Sequence, residues 1–249
     1  MPDPFGRAIR EFHRGEMDEP LRRLDGADRE DHPIEAFYFG EFEPETADDE
    51  LLVDHLAGPL LDLGCGAGRH ALFFQDRFET AAVDVSEALV ATARDRGVRD
   101  ARRGDMFALR GQFPPNRFRS ALAVGTQVGL AGSLRGVSAF LGDLSCVTTT
   151  DATAVLDAYD PTRPGCSDLL GYRADPTPGL AFRAFHFEYG GRVGPELLFR
   201  LLSPARLREA AVGTGWALSG VRRDQDGPYY RAFLEKREGA DGDSRSERP

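Results

Sequence analysis

The sequence predicts an α/β protein with a doubly wound, mostly parallel sheet, helices on both faces and an antiparallel final strand. Two observations predict this fold. Short apolar runs alternate with stretches of helical pattern from residue 49 to residue 158, a rhythm typical of parallel strands joined by crossover helices. The first run, Leu60–Leu63, leads into a turn with three alternate glycines, which is typical of the carboxyl edge of such a sheet.

The glycine-rich turn predicts a binding site for a nucleotide-like ligand. Gly64, Gly66 and Gly68 follow the first strand, and a helix is expected to begin at Arg69. Glycine lets the backbone turn tightly and approach a ligand closely, and the free N–H groups at the start of a helix face such a ligand. Cys65, inside the turn, is expected to be a small filler.

Carboxylates end the next two predicted strands. The apolar run Thr80–Val83 is followed by Asp84, twenty residues after Gly64, where nucleotide-binding units place a carboxylate on the ribose hydroxyls. After an arginine-rich connection, Asp105 and Met106 are expected to close the third strand and meet the adenine amino group and ring. The three strand ends therefore converge on one ligand.

Through these motifs the chain resembles the class I S-adenosylmethionine-dependent methyltransferases, which have a Rossmann-like fold. The motifs are Asp62-Leu63-Gly64-Cys65-Gly66-Ala67-Gly68, Val83-Asp84-Val85-Ser86 and Gly104-Asp105-Met106. The resemblance covers about residues 50–236 and implies S-adenosylmethionine as cofactor, its methionine and ribose on the glycines. The residues assigned to the cofactor by this resemblance are Tyr38, Asp62, Gly64, Cys65, Gly66, Gly68, Asp84, Val85, Asp105, Met106 and Gly125.

A nicotinamide dinucleotide is the competing ligand for this turn. Dinucleotide dehydrogenases place a third Gly or Ala three positions after the second glycine. The register that starts at Gly64 fails that spacing, whereas the register that starts at Gly66 satisfies it. Asp62 before the turn, Asp105 on the next strand and the lack of a second nucleotide-binding half favour S-adenosylmethionine.

Residues 1–49 are predicted to form a helical cap segment, not a separate domain. Their pattern is helical from residue 5 to residue 12 and around Leu21 and Leu24. Tyr38 is a candidate to close over the cofactor or substrate, as aromatic residues upstream of the first strand do in related methyltransferases. The phenylalanines on either side of it are expected to pin the segment to the core.

Residues 50–237 form the predicted methyltransferase domain. Its helices are expected at 49–56, 87–96, 135–145 and after the cap residue Ser203, and its strands at 60–63, 80–83, 120–124, 153–158, 216–221 and 229–235. Alternating residues around Gly190-Gly191 predict a β-hairpin insertion at about 180–202, which small-molecule methyltransferases often place over the active site. The polar tail 238–249 is predicted to be disordered.

The resemblance implies transfer of a methyl group to a small-molecule acceptor near Gly125-Thr126-Gln127, which ends the fourth strand. The Asn/Asp-Pro-Pro-aromatic signature of amino-group methylation on adenine or glutamine is missing there. No catalytic residue is assigned, because many members of the family use no acid or base. The candidates for such a role are His186, Tyr159, Asp157, Gln127, Tyr229 and Tyr230.

Three other functions stay open. A non-catalytic sensor or partner subunit could bind S-adenosylmethionine through the same motifs. An RNA methyltransferase would need an arginine-rich groove, and Arg99, Arg102 and Arg103 are a charge run more typical of a solvated face. An aminopropyl transferase would want acidic residues at the end of the fourth strand, which has none.

The amino-acid composition indicates the solvent conditions and the cell compartment in which the protein is expected to work. The chain has 41 acidic and 31 basic residues, a net charge of −10 and Lys236 as its only lysine, which resembles proteins of salt-loving archaea. Acidity argues against a nucleic-acid partner, although this argument weakens in a halophile. We expect a cytoplasmic protein, because its three cysteines form no CxxC pair and no secretory segment is seen. The lack of a ~20-residue apolar run argues against a membrane segment, and the histidine spacing argues against a metal site. The protein is expected to be a monomer or a homodimer.

Overall fold

A computed structural model describes residues 3–237, so the disorder predicted for 238–249 lies outside the described residues. The α-helices within this range are α1 (Pro4–Arg14), α2 (Ala47–His55), α3 (Arg69–Phe74), α4 (Glu87–Asp95), α5 (Leu134–Val147) and α6 (Pro204–Ala211). The strands are β1 (Arg22–Asp25), β2 (Asp28–Asp31), β3 (Leu60–Leu63), β4 (Thr80–Asp84), β5 (Ala101–Arg103), β6 (Phe118–Ala123), β7 (Thr148–Tyr159), β8 (Tyr172–Ala174), β9 (Leu180–Tyr189), β10 (Arg192–Val193), β11 (Leu197–Leu202), β12 (Trp216–Arg223) and β13 (Tyr229–Lys236).

The main sheet has seven strands in the order β12-β13-β7-β6-β3-β4-β5. The five strands from β7 to β5 run parallel, while β13 pairs antiparallel with β7 and β12 antiparallel with β13. Every residue of β3 and β4 is buried, as expected of parallel strands covered on both faces. The predicted fold class is confirmed, and the strand order reverses between β3 and β6, beside the glycine-rich turn.

Most predicted elements of this sheet begin and end close to their expected residues, and β5 is the main exception. Arg102 and Arg103 lie in β5, not in the connection before it. Both side chains are exposed on an edge strand, so they lack the apolar pattern by which a buried strand is recognised in a sequence.

A second sheet, the cap sheet, consists of β1, β2 and β8 to β11 around the long central strand β9. The pairing of β9 with β11 confirms the hairpin predicted at about 180–202. The helix expected around Leu21 and Leu24 is wrong: Leu24 lies in β1, opposite His186 of β9, and Leu21 directly precedes this strand. Pairing with a distant strand overrides the local pattern here.

The cap sheet lies over the carboxyl edge of the main sheet. Its Phe185 and Phe187 share an apolar cluster with Ala67 of the glycine-rich turn and Leu89 of α4. Helix α1, which the sequence predicted, packs in the same cluster and against α4. The side chain of Asp3 caps α1 and also accepts a hydrogen bond from Ser86 Oγ at 2.5 Å. The N-terminal segment and the hairpin insertion therefore cover the predicted ligand site together.

Candidate active site

The glycine-rich turn is shaped by close packing on both of its sides. Gly68 has φ +82°, and a Cβ there would lie 2.5 Å from Val98 Cγ2. Gly66 has φ +55°, and a Cβ there would lie 3.3 Å from the Tyr38 ring. Because L side chains rarely adopt such φ angles, only glycine allows α3 to start so close to its neighbours.

Cys65 in this turn is a filler, as expected. Its side chain packs in the apolar cluster that contains Ala71, Val90 and Ala93. Burial raises the pKa of the thiol well above its ordinary value, so the sulfur stays protonated. Its backbone is the part that lies along the turn, where its N–H donates to Val83 O at 3.0 Å.

Asp84 ends β4 and joins that strand to the glycine-rich turn. Its carboxylate accepts hydrogen bonds from Gly66 N at 3.1 Å and Ser86 N at 2.9 Å. Burial raises its pKa to about 6. A carboxylate has about four lone-pair sites, so both oxygens keep the capacity to accept ribose hydroxyls, as the sequence predicted.

Asp62 supplies the observation that best fits the cofactor to this site. It is only 3% exposed, and its Oδ2 atom is buried without a hydrogen-bond partner in the described chain. Burial and the nearby charge of Asp84 raise its pKa to about 7. An unpartnered buried carboxylate oxygen is costly. It suits a cationic ligand group beside the turn, such as the ammonium of the methionine part of S-adenosylmethionine.

The predicted adenine residues follow the ends of β4 and β5, which are neighbouring parallel strands of the main sheet. Val85 is 61% exposed although it is apolar, whereas Met106 is buried. Asp105 is exposed, and its Oδ1 accepts a hydrogen bond from Phe107 N at 2.8 Å. An exposed valine beside a carboxylate can take a flat ring that has an amino group at its edge.

Tyr38 lies over the turn on a π-helix, Glu35–Phe39. Arg96 Nη1 holds this segment down by donating to Tyr38 O at 2.7 Å and to Ala67 O at 2.8 Å. Arg69 Nε donates to Gly40 O at 3.0 Å. No sequence motif marks these two arginines, because their acceptors are backbone carbonyls of a distant segment.

The expectation for the two phenylalanines beside Tyr38 is confirmed for one and wrong for the other. Phe39 packs against Phe12 and under the Arg96 guanidinium, whose Cζ lies 4.9 Å from the ring centroid. Phe37 is 54% exposed, because the π-helix turns it towards solvent.

The turn after β6 lies where the resemblance places the methyl acceptor. Asp157 is buried and accepts hydrogen bonds from Gly125 N at 2.8 Å, Thr126 N at 2.5 Å and Tyr229 Oη at 2.8 Å. Burial raises its pKa. With three donors on its carboxylate, Asp157 positions the turn and is not a free base. The Gln127 side chain lies beside Gly64.

The remaining catalytic candidates differ in where they point. Tyr230 Oη donates to Leu202 O at 2.9 Å in the core, which is a structural role. His186 lies on the outer face of the cap sheet, where its Nδ1 is 3.1 Å from Gly194 O and its Nε2 is 3.9 Å from Glu196. It faces away from the turn. Tyr159 ends β7 and packs towards the cap sheet, so it remains a candidate for a catalytic role.

Residues 3–237 contain neither a candidate metal site nor a helix that could span a membrane. No group of three or more His, Cys, Asp or Glu side chains in that range could hold a metal ion. None of the described helices is long and apolar enough to span a membrane.

Comparisons with known proteins agree with this geometry. Residues 60–141 match the family model for a methyltransferase domain. A SAM-dependent methyltransferase from Bacteroides fragilis, solved with S-adenosyl-L-homocysteine, is similar in fold, with a TM-score of 0.76, 22% identity and coverage of 95% of this chain and 97% of that one. No curated protein sequence matches the chain.

Two further solved structures are similar over the greater part of the chain. The CcbJ methyltransferase from Streptomyces caelestis has a TM-score of 0.58 and 18% identity, over 75% of this chain and 93% of its own. CalS10 from Micromonospora echinaspora, an amino pentose methyltransferase solved with SAM bound, has a TM-score of 0.51 and 18% identity, over 72% and 83%.

The matched residues include the glycine-rich turn, Asp84 and Asp105, which are the parts of the site that the sequence assigned to the cofactor. The fold is shared with a methyltransferase over nearly the whole chain. Residues 60–141 are therefore similar to a methyltransferase domain, within a chain whose fold is that of a SAM-dependent methyltransferase.

Proposed function

We propose that the protein is a class I S-adenosylmethionine-dependent methyltransferase that acts on a small-molecule acceptor. The observation that supports this most directly is the position of the cap sheet, whose Phe185 and Phe187 pack in one cluster with Ala67 of the glycine-rich turn. A site closed in this way admits molecules that fit beneath the cap and keeps water out. A polymer would need an open groove at the same place.

The charge run weighed for an RNA substrate does not form such a groove. Arg99 pairs with Asp76 at 2.6 Å, and Arg102 pairs with Asp100 at 2.5 Å. These guanidinium groups are already paired with carboxylates at the exposed end of the main sheet. An RNA acceptor therefore has less support than a small molecule.

The chain's own part in the reaction is positioning. When bound, S-adenosylmethionine supplies an activated methyl group. Asp62 and Asp84 would hold its ammonium and ribose, and Tyr38 would cover it. The turn that Asp157 orders would set the acceptor in line with the methyl group, which is the main contribution such an enzyme must make.

The test is a radiolabelled methyl-transfer assay with three acceptor fractions: a mixed small-molecule library, total RNA and total protein. We expect label in small molecules only. Calorimetry with S-adenosylmethionine, S-adenosylhomocysteine and NAD runs in parallel. Label in RNA or protein would contradict the proposal. Cofactor binding without label in any fraction would favour the sensor or partner subunit.

A further inference from the structure

The face of the cap sheet that covers the glycine-rich turn carries two arginines among aromatic side chains. Arg183, Phe185 and Phe187 alternate along β9 and are all buried, so they share one face, called the inward face below. Arg23 of β1 is paired with Phe187 in the antiparallel register. Directly paired residues lie on the same side of a sheet, so Arg23 also belongs to the inward face.

Arg183 is a buried cation without a counter-ion. Its side chain is 7% exposed, its Nε donates to Leu170 O at 2.7 Å, and its Cζ lies 4.7 Å from the Phe185 ring centroid. In the described chain its guanidinium forms no ion pair. Arg200, equally buried on the other face, pairs with Asp175 at 2.8 Å. Burying an unpaired charge is expensive, which points to a ligand that supplies the anion.

Two further donors next to Arg183 lack acceptors. Arg23 pairs with Glu30 through Nη2 at 2.8 Å, but its Nε is buried without a partner in the described residues. His32 lies beside Phe187, with ring centroids 5.2 Å apart. Tyr38 Oη is 2.9 Å from His32 Nε2 and has no other acceptor in the described chain, so it donates to Nε2. The neutral ring then carries its proton on Nδ1, which is buried and has no partner in the described residues. Burial and the charges of Arg23 and Arg183 lower the pKa of His32 to about 3.

These groups lie where an acceptor would meet the cofactor. Tyr38, the partner of His32, covers Gly66 of the turn. Phe199 of β11, opposite Arg183 in the register, and Tyr159 at the end of β7 complete the surroundings. Burial raises the pKa of Tyr159, and the Arg183 charge partly offsets this rise. The cavity wall thus combines aromatic rings with unpaired hydrogen-bond donors.

We propose that the methyl acceptor is a small carboxylic acid whose carboxylate is bound by the Arg183 guanidinium, with Arg23 and His32 donating to the same group. This inference rests on the proposed small-molecule function. A guanidinium binds a carboxylate in a bidentate manner. One of the two arginine charges is already balanced by Glu30, so a monoanion fits better than a doubly charged phosphate. The aromatic rings would hold the apolar body of the acid.

The test measures the thermal midpoint of the full chain, saturated with S-adenosylhomocysteine, at one fixed salt concentration. The probes are benzoate, phenylacetate and hexanoate, each beside its primary amide. We expect the acids to raise the midpoint and the amides to leave it unchanged. In Arg183→Met, binding of the acids should weaken about 10- to 100-fold, the range for a lost charged hydrogen bond.

Arg173→Met is the matched control, because it removes an exposed arginine from the outer face of the same sheet. It should keep the response to the acids. Without ligand, Arg183→Met should unfold at the same or a higher temperature than the parent chain, since it removes an unpaired buried charge. A merely structural role for Arg183 would lower that temperature.

Any one of three results would overturn the inference: equal shifts from the acids and the amides, no shift from the acids, or an unchanged response to the acids in Arg183→Met. Failure of S-adenosylhomocysteine to bind the parent chain would instead count against the methyltransferase site itself, so the two failures are distinguishable.

Discussion

At the residue scale, the proposed cofactor site contains two buried carboxylates that are close enough for their charges to interact. Asp84 is hydrogen-bonded to the turn, whereas Asp62 keeps an unpartnered oxygen. Each raises the cost of ionising the other, because like charges in a buried site disfavour the charged forms. A ligand with an ammonium group and hydroxyls would relieve both costs. We infer that this relief contributes to the affinity for the ligand.

Replacing Asp84 by alanine is expected to weaken binding of S-adenosylhomocysteine by roughly 1.5 to 3 kcal/mol, the usual cost of losing a charged hydrogen-bonding partner. Calorimetric titration checks this value. Asp76→Ala is the control, because Asp76 is an exposed carboxylate paired with Arg99. Unchanged affinity in Asp84→Ala would remove Asp84 from the ribose site.

Binding of the cofactor should depend on pH through Asp62. Its folded pKa, about 7, lies above its ordinary value, so its contribution to the stability of the ligand-free chain is lost as pH rises through 7. Binding of an ammonium needs the ionised form, so affinity should rise from pH 5.5 to pH 7 by up to about tenfold per unit. Calorimetry at several pH values measures this. A profile in Asp62→Asn as steep as in the parent would exclude Asp62 as the cause.

At the element scale, the turn after β6 is held by a side chain from the neighbouring strand. The carboxylate of Asp157 in β7 accepts hydrogen bonds from Gly125 N and Thr126 N. Thr126 has φ +60°, a conformation that is unfavourable for a non-glycine residue, so this turn needs support from outside. This turn is therefore ordered by a strand end and not by its own sequence.

Asp157→Ala should lower the free energy of unfolding by about 1.5 to 3 kcal/mol, because it removes a buried carboxylate that accepts three hydrogen bonds. Urea denaturation measures the change. Tyr229→Phe removes only one hydrogen bond to the same carboxylate and should cost about 1 kcal/mol. Equal losses in the two variants would contradict this role of Asp157.

The cover over the turn should loosen without Arg96. In Arg96→Met the carbonyls of Tyr38 and Ala67 lose their shared donor, so we expect faster amide hydrogen exchange over residues 35–41. Arg94→Met is the control, because Arg94, in the last turn of α4, donates to Ala101 O of β5 and not to the segment that contains Tyr38. Unchanged exchange at 35–41 would show that Arg96 does not hold the segment.

At the scale of the whole molecule, the net negative charge should make the thermal stability depend on the salt concentration. The net charge is −10, and the resulting self-repulsion is screened within about 3 Å at 1 M salt. Exposed ion pairs weaken too, but each contributes only about 0 to 1 kcal/mol. We therefore expect the thermal midpoint to rise between 0.1 M and 2 M potassium chloride. A midpoint that falls over this range would contradict the halophilic interpretation.

The sequence by itself determined the parallel sheet, the glycine-rich turn and the carboxylates at the ends of β3 and β4. Those features depend on local rules, namely the apolar period, the glycine positions and the spacing of Asp84 from the turn. The cap hairpin was recognisable for the same reason, since alternation in β9 follows directly from strand geometry.

Only the tertiary structure decided what the cap presents to the site. The pairing of β1 with β9 places Arg23 on the same face as Arg183, close enough for its charge to lower the pKa of Arg183, although the two lie far apart in the chain. Nothing local distinguishes Arg183 from the exposed Arg173, or Asp157 from a catalytic carboxylate. Their roles depend on burial and on partners from other elements, and these quantities exist only once the two sheets have packed together.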